Sequence, residues 1–152
     1  MNWELLILLN TSVFVIILGI IDYKTKLLPN KYVLIMIITN LGLICLDPYF
    51  TFDSLLLTIL LSFLVFLVYL VIFFISKQSF GLGDVKYSFA LSIPSTYVFG
   101  FNQAWNMHLT GFILGGITAI GLMVFKKVPK NHAIAFGPFM SVSYFLFLVL
   151  NL

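Results

Sequence analysis

Two aspartates stand next to long apolar runs of the sequence. Asp22 follows the first run, in IIDYKTKLLPN, and Asp84 follows two glycines in FGLGDVK. Two carboxylates at close range cannot both ionise cheaply, so one of them keeps its proton. The charged carboxylate can then take a proton from water while the neutral one donates to a carbonyl oxygen. Such a pair indicates peptide-bond hydrolysis that needs no metal, thiol or cofactor.

The elements that must position these aspartates are membrane helices. The chain has 152 residues, of which 62% are hydrophobic and 9% charged, and a soluble domain of this length could not hide so much apolar surface. The composition predicts one all-α, polytopic integral-membrane domain over residues 1–152. We expect the first apolar run to remain as a permanent span. Six transmembrane helices are predicted, over Leu5–Ile21, Tyr32–Leu46, Ser54–Ile75, Tyr87–Phe101, Leu109–Phe125 and Ala133–Leu150.

The charged residues give these spans an orientation. With six spans, all eight lysines fall on one side, which the positive-inside rule makes cytoplasmic. Asp22 and Asp84 share that side because two crossings lie between them. The fourth span is short, and we expect Gly83 to Lys86 to extend it as helix. The lysines concerned are Lys24, Lys26, Lys31, Lys77, Lys86, Lys126, Lys127 and Lys130, and the acids on the other side are Glu4, Asp47 and Asp53.

The residues around Asp84 suggest supporting roles. Gly81 and Gly83 lack side chains, so an extended peptide could approach their backbone closely, and they permit a mobile loop. Lys86 either orients Asp84 or contacts the peptide; alternatively, it is an interfacial lysine whose charged end reaches water.

Two further pairs of residues are candidates for structural support. Pro29 and Asn30 stand where the first loop meets the second span, and proline is tolerated at such a boundary. They are expected to shape the loop beside Asp22. Gly137 and Pro138 lie near the start of the last span, where they would loosen the helix and pack close to the site.

A purely structural explanation of the aspartates also exists. Asp22 could balance Lys24 and Lys26 at a helix end, and Asp84 could pair with Lys86. Glycine before aspartate is also typical of a turn followed by a helix N-cap.

The remaining reactive residues do not predict a metal or cofactor site. Cys45 is the single cysteine, so neither a disulfide nor a thiolate zinc site is expected. His108 and His132 are predicted to lie at opposite membrane interfaces, too far apart to share a metal. The basic net charge of +3 reflects membrane orientation, and no nucleic-acid partner is expected.

Three motifs together resemble the type IV prepilin peptidases. IIDYKTKLLPNKY resembles the motif at their first catalytic aspartate, and FGLGDVK resembles the glycine-x-glycine-aspartate motif at their second. IAFGPFM, at residues 134–140, is similar to the phenylalanine–glycine–proline signature that opens their last span. The motifs occur in the family's order and cover nearly the whole chain.

The resemblance implies the fold and the activity of that family. The fold would be that of a GxGD-type aspartic protease, with Asp22 and Asp84 as the catalytic pair. The activity would be removal of a short basic leader from prepilins or pseudopilins, after a glycine, at the cytoplasmic face of the inner (cytoplasmic) membrane. Larger members carry an additional region with paired cysteines that is associated with N-methylation. Nothing here corresponds to it, so we expect no methyltransferase activity; the build is similar to that of short members in tight-adherence pilus systems.

Other functions would use the same residues differently. A small proton-coupled transporter could use Asp22 and Asp84 as a relay, but acids in such a relay are expected near the membrane midplane. A presenilin-type protease shares the GxGD site, but its other motifs have different contexts. A non-catalytic subunit of a secretion machine would leave the pair unexplained. The lysines are expected to contact anionic lipid headgroups.

Overall fold

Six α-helices make up most of the computed structural model, which describes residues 3–76, 80–125 and 135–151. No strand occurs in those ranges, and the all-α prediction is confirmed for them. The helices are α1 (Trp3–Thr25), α2 (Asn30–Cys45), α3 (Phe52–Ile75), α4 (Leu82–Phe99), α5 (Phe101–Phe125) and α6 (Gly137–Asn151).

Three of these helices, α1, α3 and α5, are long and apolar enough to cross a membrane, and α2 and α6 are shorter apolar helices. α3 has the highest hydropathy of the three. Many of its large apolar side chains are exposed, among them Leu57, Val71 and Phe74, as expected where a helix faces lipid. These helices support a membrane protein, and the crossing of all six remains a prediction.

The fourth helix lies at the centre of the bundle. α4 packs against each of the other five helices, and most of its residues are buried. Because it faces protein rather than lipid, it can be less apolar than α3. Ser88, Ser92 and Ser95 donate to backbone carbonyls one turn earlier in α4. The helix includes Gly83 to Lys86, so the prediction that these residues are helical is confirmed, and the crossing of the membrane by α4 stays a prediction.

The structure places His108 inside the fifth helix, whereas the predicted fifth span begins after it. α5 begins at Phe101, eight residues before the predicted start at Leu109, so His108 falls inside the helix. The imidazole is 2% exposed and contacts Tyr69 Oη at 3.0 Å and Ser92 Oγ at 2.8 Å. His132 lies outside the described residues, as do Lys77, Lys126, Lys127 and Lys130.

Candidate active site

The two aspartates come together at one end of the bundle. Asp22 lies in the last turn of α1 and Asp84 in the first turn of α4, helices that pack against each other. Asp22 is 4% exposed and Asp84 8% exposed. Asp84 precedes the predicted fourth span, and burial raises the pKa of its carboxyl to about 7. The negative charge of Asp22 acts on this pKa in the same direction, and the Gly81 backbone opposes both.

A third helix contributes a backbone group to this end. The Gly137 amide, at the start of α6, donates to Asp22 Oδ2 at 2.8 Å. The first amides of a helix have no partner within the helix, so this one is free to bind a carboxylate. A Cβ at Gly137 would lie 2.8 Å from Asp22 Oδ2. Only glycine therefore allows this contact without displacing the carboxylate. Pro138 follows in the first turn, where its missing N–H has no cost.

The two glycines before Asp84 are in close contact with the protein itself. A Cβ at Gly81 would lie 2.8 Å from Asp84 Oδ2, and a Cβ at Gly83 would lie 2.9 Å from Leu28 Cβ. Gly81 is the N-cap residue of α4 and has no side chain to cap the helix, and the Asp84 carboxyl at the third helical position lies back against Gly81. Close packing is thus a sufficient reason for both glycines, independent of any bound peptide.

The remaining predicted site residues lie beside the pair. Lys86 is exposed and its Nζ donates to Asn30 Oδ1 at 3.0 Å. Pro29 precedes α2 as its N-cap residue, and its carbonyl accepts from the amides of Tyr32 and Val33. Lys86 and Asn30 together connect the start of α4 with the start of α2. Because Lys86 binds Asn30, this geometry does not favour an ion pair between Lys86 and Asp84.

Sequence reasoning missed the aromatic residues beneath the site. Phe80 precedes Gly81 and Phe136 precedes Gly137, and their rings lie 5.1 Å apart. Both rings also contact Phe112 and Tyr69. The repeated Phe-Gly at the start of α4 and α6 is a signal that could have identified this cluster. It packs the two helix starts against α3 and α5 near the aspartates.

Ser141 was also missed, and it links the helices that carry the site. Its hydroxyl contacts the carbonyls of Val15 and Gly137, each at 3.0 Å, and Tyr87 Oη at 3.5 Å. α1, α4 and α6 are therefore joined within about two helical turns of the aspartates. A serine in an apolar helix carried no signal that would have distinguished this role.

The site combines a buried carboxyl of raised pKa with a neighbouring carboxylate that accepts a backbone hydrogen bond. This arrangement can take a proton from water and donate another at the same centre, as general acid–base hydrolysis requires. Among the residues with described positions, no group of three or more His, Cys, Asp or Glu side chains could hold a metal ion.

Comparison with known proteins gives a family match. The model of the type IV leader peptidase family matches residues 9–150. No curated protein and no solved structure matches the chain. The family model covers nearly the whole sequence, including the three motifs and the helices that bring the aspartates together. The chain therefore belongs to the type IV leader peptidase family.

Proposed function

We propose that this chain is a membrane aspartic endopeptidase that removes the short basic leader from type IV prepilins or pseudopilins. Asp22 and Asp84 are the catalytic pair. The single observation that carries the proposal is the convergence of these two buried carboxyls, from distant parts of the sequence, at one end of the bundle. Membership of a leader peptidase family supports the same reaction class.

The reaction uses the proton shared by the pair. One carboxylate takes a proton from water as the water oxygen bonds to the scissile carbonyl carbon. The neutral carboxyl gives its proton to the carbonyl oxygen, which receives the π electron pair. When the diol collapses, the C–N bond breaks and the leaving nitrogen takes that electron pair and the proton from the first carboxyl. The second carboxyl recovers its proton from a diol hydroxyl.

The location that we propose is the inner (cytoplasmic) membrane, with six crossings and the site on the cytoplasmic side. The lysine distribution supports this orientation. In a Cys45→Ser background, Lys24→Cys and Lys31→Cys should react with a membrane-impermeant thiol reagent from the cytoplasm only. Asp53→Cys should react only from the outside. Labelling of Lys24→Cys and Asp53→Cys from the same side would overturn the topology.

The test of the function is reconstitution of the purified chain in lipid with candidate prepilins. Leader removal at one site, detected by mass spectrometry, is the expected result, and the new amino terminus should be unmethylated. Asp47→Asn provides a control, because Asp47 hydrogen bonds to Tyr97 at the end of α4 away from Asp84. Processing that continues at the unmodified rate in the double variant Asp22→Asn/Asp84→Asn would refute the proposal. The transporter alternative gains no support from this geometry, because both aspartates lie in terminal turns of their helices.

A further inference from the structure

The two aspartates are similar in burial, but their hydrogen bonds differ. Asp22 Oδ2 accepts from the Gly137 amide at 2.8 Å. Asp84 Oδ1 is buried and has no hydrogen-bond partner among residues 3–76, 80–125 and 135–151. A hydrogen bond donated to a carboxylate favours its charged form, and burial without a donor favours the neutral form. The difference therefore bears on which carboxyl keeps the proton.

The start of α6 reinforces the difference. The Gly137 amide lies at the positive end of that helix, so Asp22 accepts a hydrogen bond and also lies in a favourable field. Two other helix-end fields act in the opposite direction. Asp22 is near the negative end of α1, which disfavours its charged form, and Asp84 is near the positive end of α4, which favours its charged form. Helix-end fields are modest, whereas a buried charged oxygen without a donor is strongly disfavoured. Burial raises the pKa of both carboxyls and each has a backbone hydrogen bond, to Gly137 for Asp22 and to Gly81 for Asp84. The buried Asp84 Oδ1 without a partner among the described residues therefore decides the assignment.

We propose that Asp22 is the charged member of the pair and acts as general base, with the Gly137 amide as its positioning group, while Asp84 holds the proton and acts as general acid. The roles of base and acid rest on the proposed function. The charge assignment itself does not, because it concerns the resting protein. Phe-Gly-Pro at residues 136–138 then has a defined purpose, which is to present one backbone amide to Asp22.

Among the residues whose positions the structure describes, the other titratable groups near the pair do not offer a competing counter-ion. Tyr69 from α3 and Tyr87 from α4 interact electrostatically with Asp84, and both are buried phenols. Both ring nitrogens of His108, from α5, are in hydrogen-bond contact with Tyr69 and Ser92. On the packed helices, Lys86 binds Asn30, Tyr144 donates to the Leu8 carbonyl, and the other groups at the ends near the pair are exposed, namely Tyr23, Lys24, Lys31 and Tyr32. Glu4, Cys45, Asp53 and Tyr97 lie at the opposite ends of their helices.

Infrared spectroscopy of the full chain in lipid nanodiscs tests the assignment directly. A protonated carboxyl gives a C=O stretching band that a carboxylate lacks. About one pH unit below the Asp84 pKa of about 7, the unmodified protein should show this band, and Asp84→Asn should lose it. In Asp22→Asn the Asp84 band should persist to a higher pH than the Asp22 band of Asp84→Asn, although its midpoint falls because the Asp22 charge no longer raises the Asp84 pKa. Asp47→Asn should match the unmodified protein. Retention of the band in Asp84→Asn at that pH would overturn the proposal, as would an Asp84 band in Asp22→Asn that titrates below the Asp22 band of Asp84→Asn. If one of these two variants does not fold, the other decides by comparison with the unmodified protein.

The role of Gly137 has its own test in the Asp84→Asn background. Gly137→Ala places a methyl group against Asp22 Oδ2, so the Asp22 band should appear at a higher pH than in Asp84→Asn alone. Gly116→Ala is the matched control, because a Cβ there would meet nothing within 4 Å. An unchanged titration in Gly137→Ala would refute the positioning role.

Failure of the proposed function would give a different result. If the infrared bands follow the assignment but no prepilin is cleaved, the charge assignment holds and the function is wrong. If prepilin is cleaved but Asp84→Asn keeps the band, the function holds and the assignment is wrong.

Discussion

The two ends of α4 each adjoin a buried carboxyl group, and the two groups differ in their partners. Asp47, in the loop before α3, is 7% exposed, and Asp84, in the first turn of α4, is 8% exposed. Asp47 Oδ1 accepts from the Tyr49 amide at 3.0 Å, and its Oδ2 accepts from Tyr97 Oη at 2.9 Å. Asp84 Oδ1 has no such partner among the residues that the structure describes.

This difference separates a carboxyl with a structural role from the one that we propose to be catalytic. Buried polar groups in proteins are nearly always hydrogen-bonded, because an unpaired one is destabilising. Asp47 follows that rule and connects the loop before α3 with the end of α4. Asp84 departs from it at a place where a second carboxylate is close. Burial does not distinguish the Asp47 and Asp84 carboxyls, whereas the hydrogen bonds that their oxygens accept do.

The largest expected effect is on cleavage when either member of the pair is changed. Asp22→Asn and Asp84→Asn should each reduce kcat/KM for a prepilin by roughly 10² to 10⁴-fold, because each removes one half of the proton transfer. The double variant should be little worse, because the two groups act as a unit. Initial rates of leader removal measure this.

Asp47→Asn is the matched control for these variants. It changes a carboxyl of equal burial at the other end of α4, so the cleavage rate should stay near that of the unmodified protein. Equal losses in Asp47→Asn and Asp84→Asn would contradict the distinction between the two ends.

A second expectation concerns pH. Since the pKa of Asp84 is raised to about 7, its carboxyl keeps its proton below that pH and loses it above. Activity that needs this proton should therefore fall tenfold per unit as pH rises beyond about 7. The dependence of kcat/KM on pH measures the effect. The same profile is expected in Asp47→Asn, and a rate that keeps rising through alkaline pH would contradict the role of Asp84.

The sequence was sufficient to predict which aspartates belong together. Asp22 and Asp84 each border a long apolar run, and the two predicted crossings between them would place them on one side. The sequence could also predict that α4 extends back through Gly83, since the fourth apolar run was too short to span a bilayer. Both inferences need only helix length and the order of segments.

The contacts made by the backbone could not be predicted in the same way. Gly137 was recognised as close to the site, but its amide carries no residue-specific signal, so its bond to Asp22 appears only in the structure. The start of α5 was mispredicted because polar Asn102 and Gln103 obscured it, and His108 was therefore expected to lie outside that helix. The central position of α4 was also hidden, because its serines bond to its own backbone and make it less apolar than a lipid-facing helix.

A smaller loss of activity is expected from Gly81→Ala. The new methyl group would lie 2.8 Å from Asp84 Oδ2 and displace the carboxyl, and displacements of this kind lower rates by roughly 10² or less. Backbone strain is not involved, because Gly81 has φ −75°. Gly116→Ala, in open space on α5, should leave kcat/KM unchanged. Full activity in Gly81→Ala would contradict this expectation, because it would mean that cleavage does not depend on the exact position of the Asp84 carboxyl.

The smallest effect on cleavage is expected at the far end of α4, where stability should change instead. Tyr97→Phe removes the hydroxyl that donates to Asp47 Oδ2 and leaves a buried carboxylate oxygen without that donor, at a cost of about 1–3 kcal/mol in the free energy of unfolding. Tyr49→Phe is the control, because Tyr49 contributes its backbone amide and its side chain is exposed. Thermal unfolding in nanodiscs should show a lower midpoint for Tyr97→Phe alone, with leader cleavage at the normal rate in both variants. If Tyr97→Phe instead slowed cleavage as much as Gly81→Ala, α4 would transmit changes from one end to the other. Asp47 would then belong to the functional machinery rather than to the scaffold.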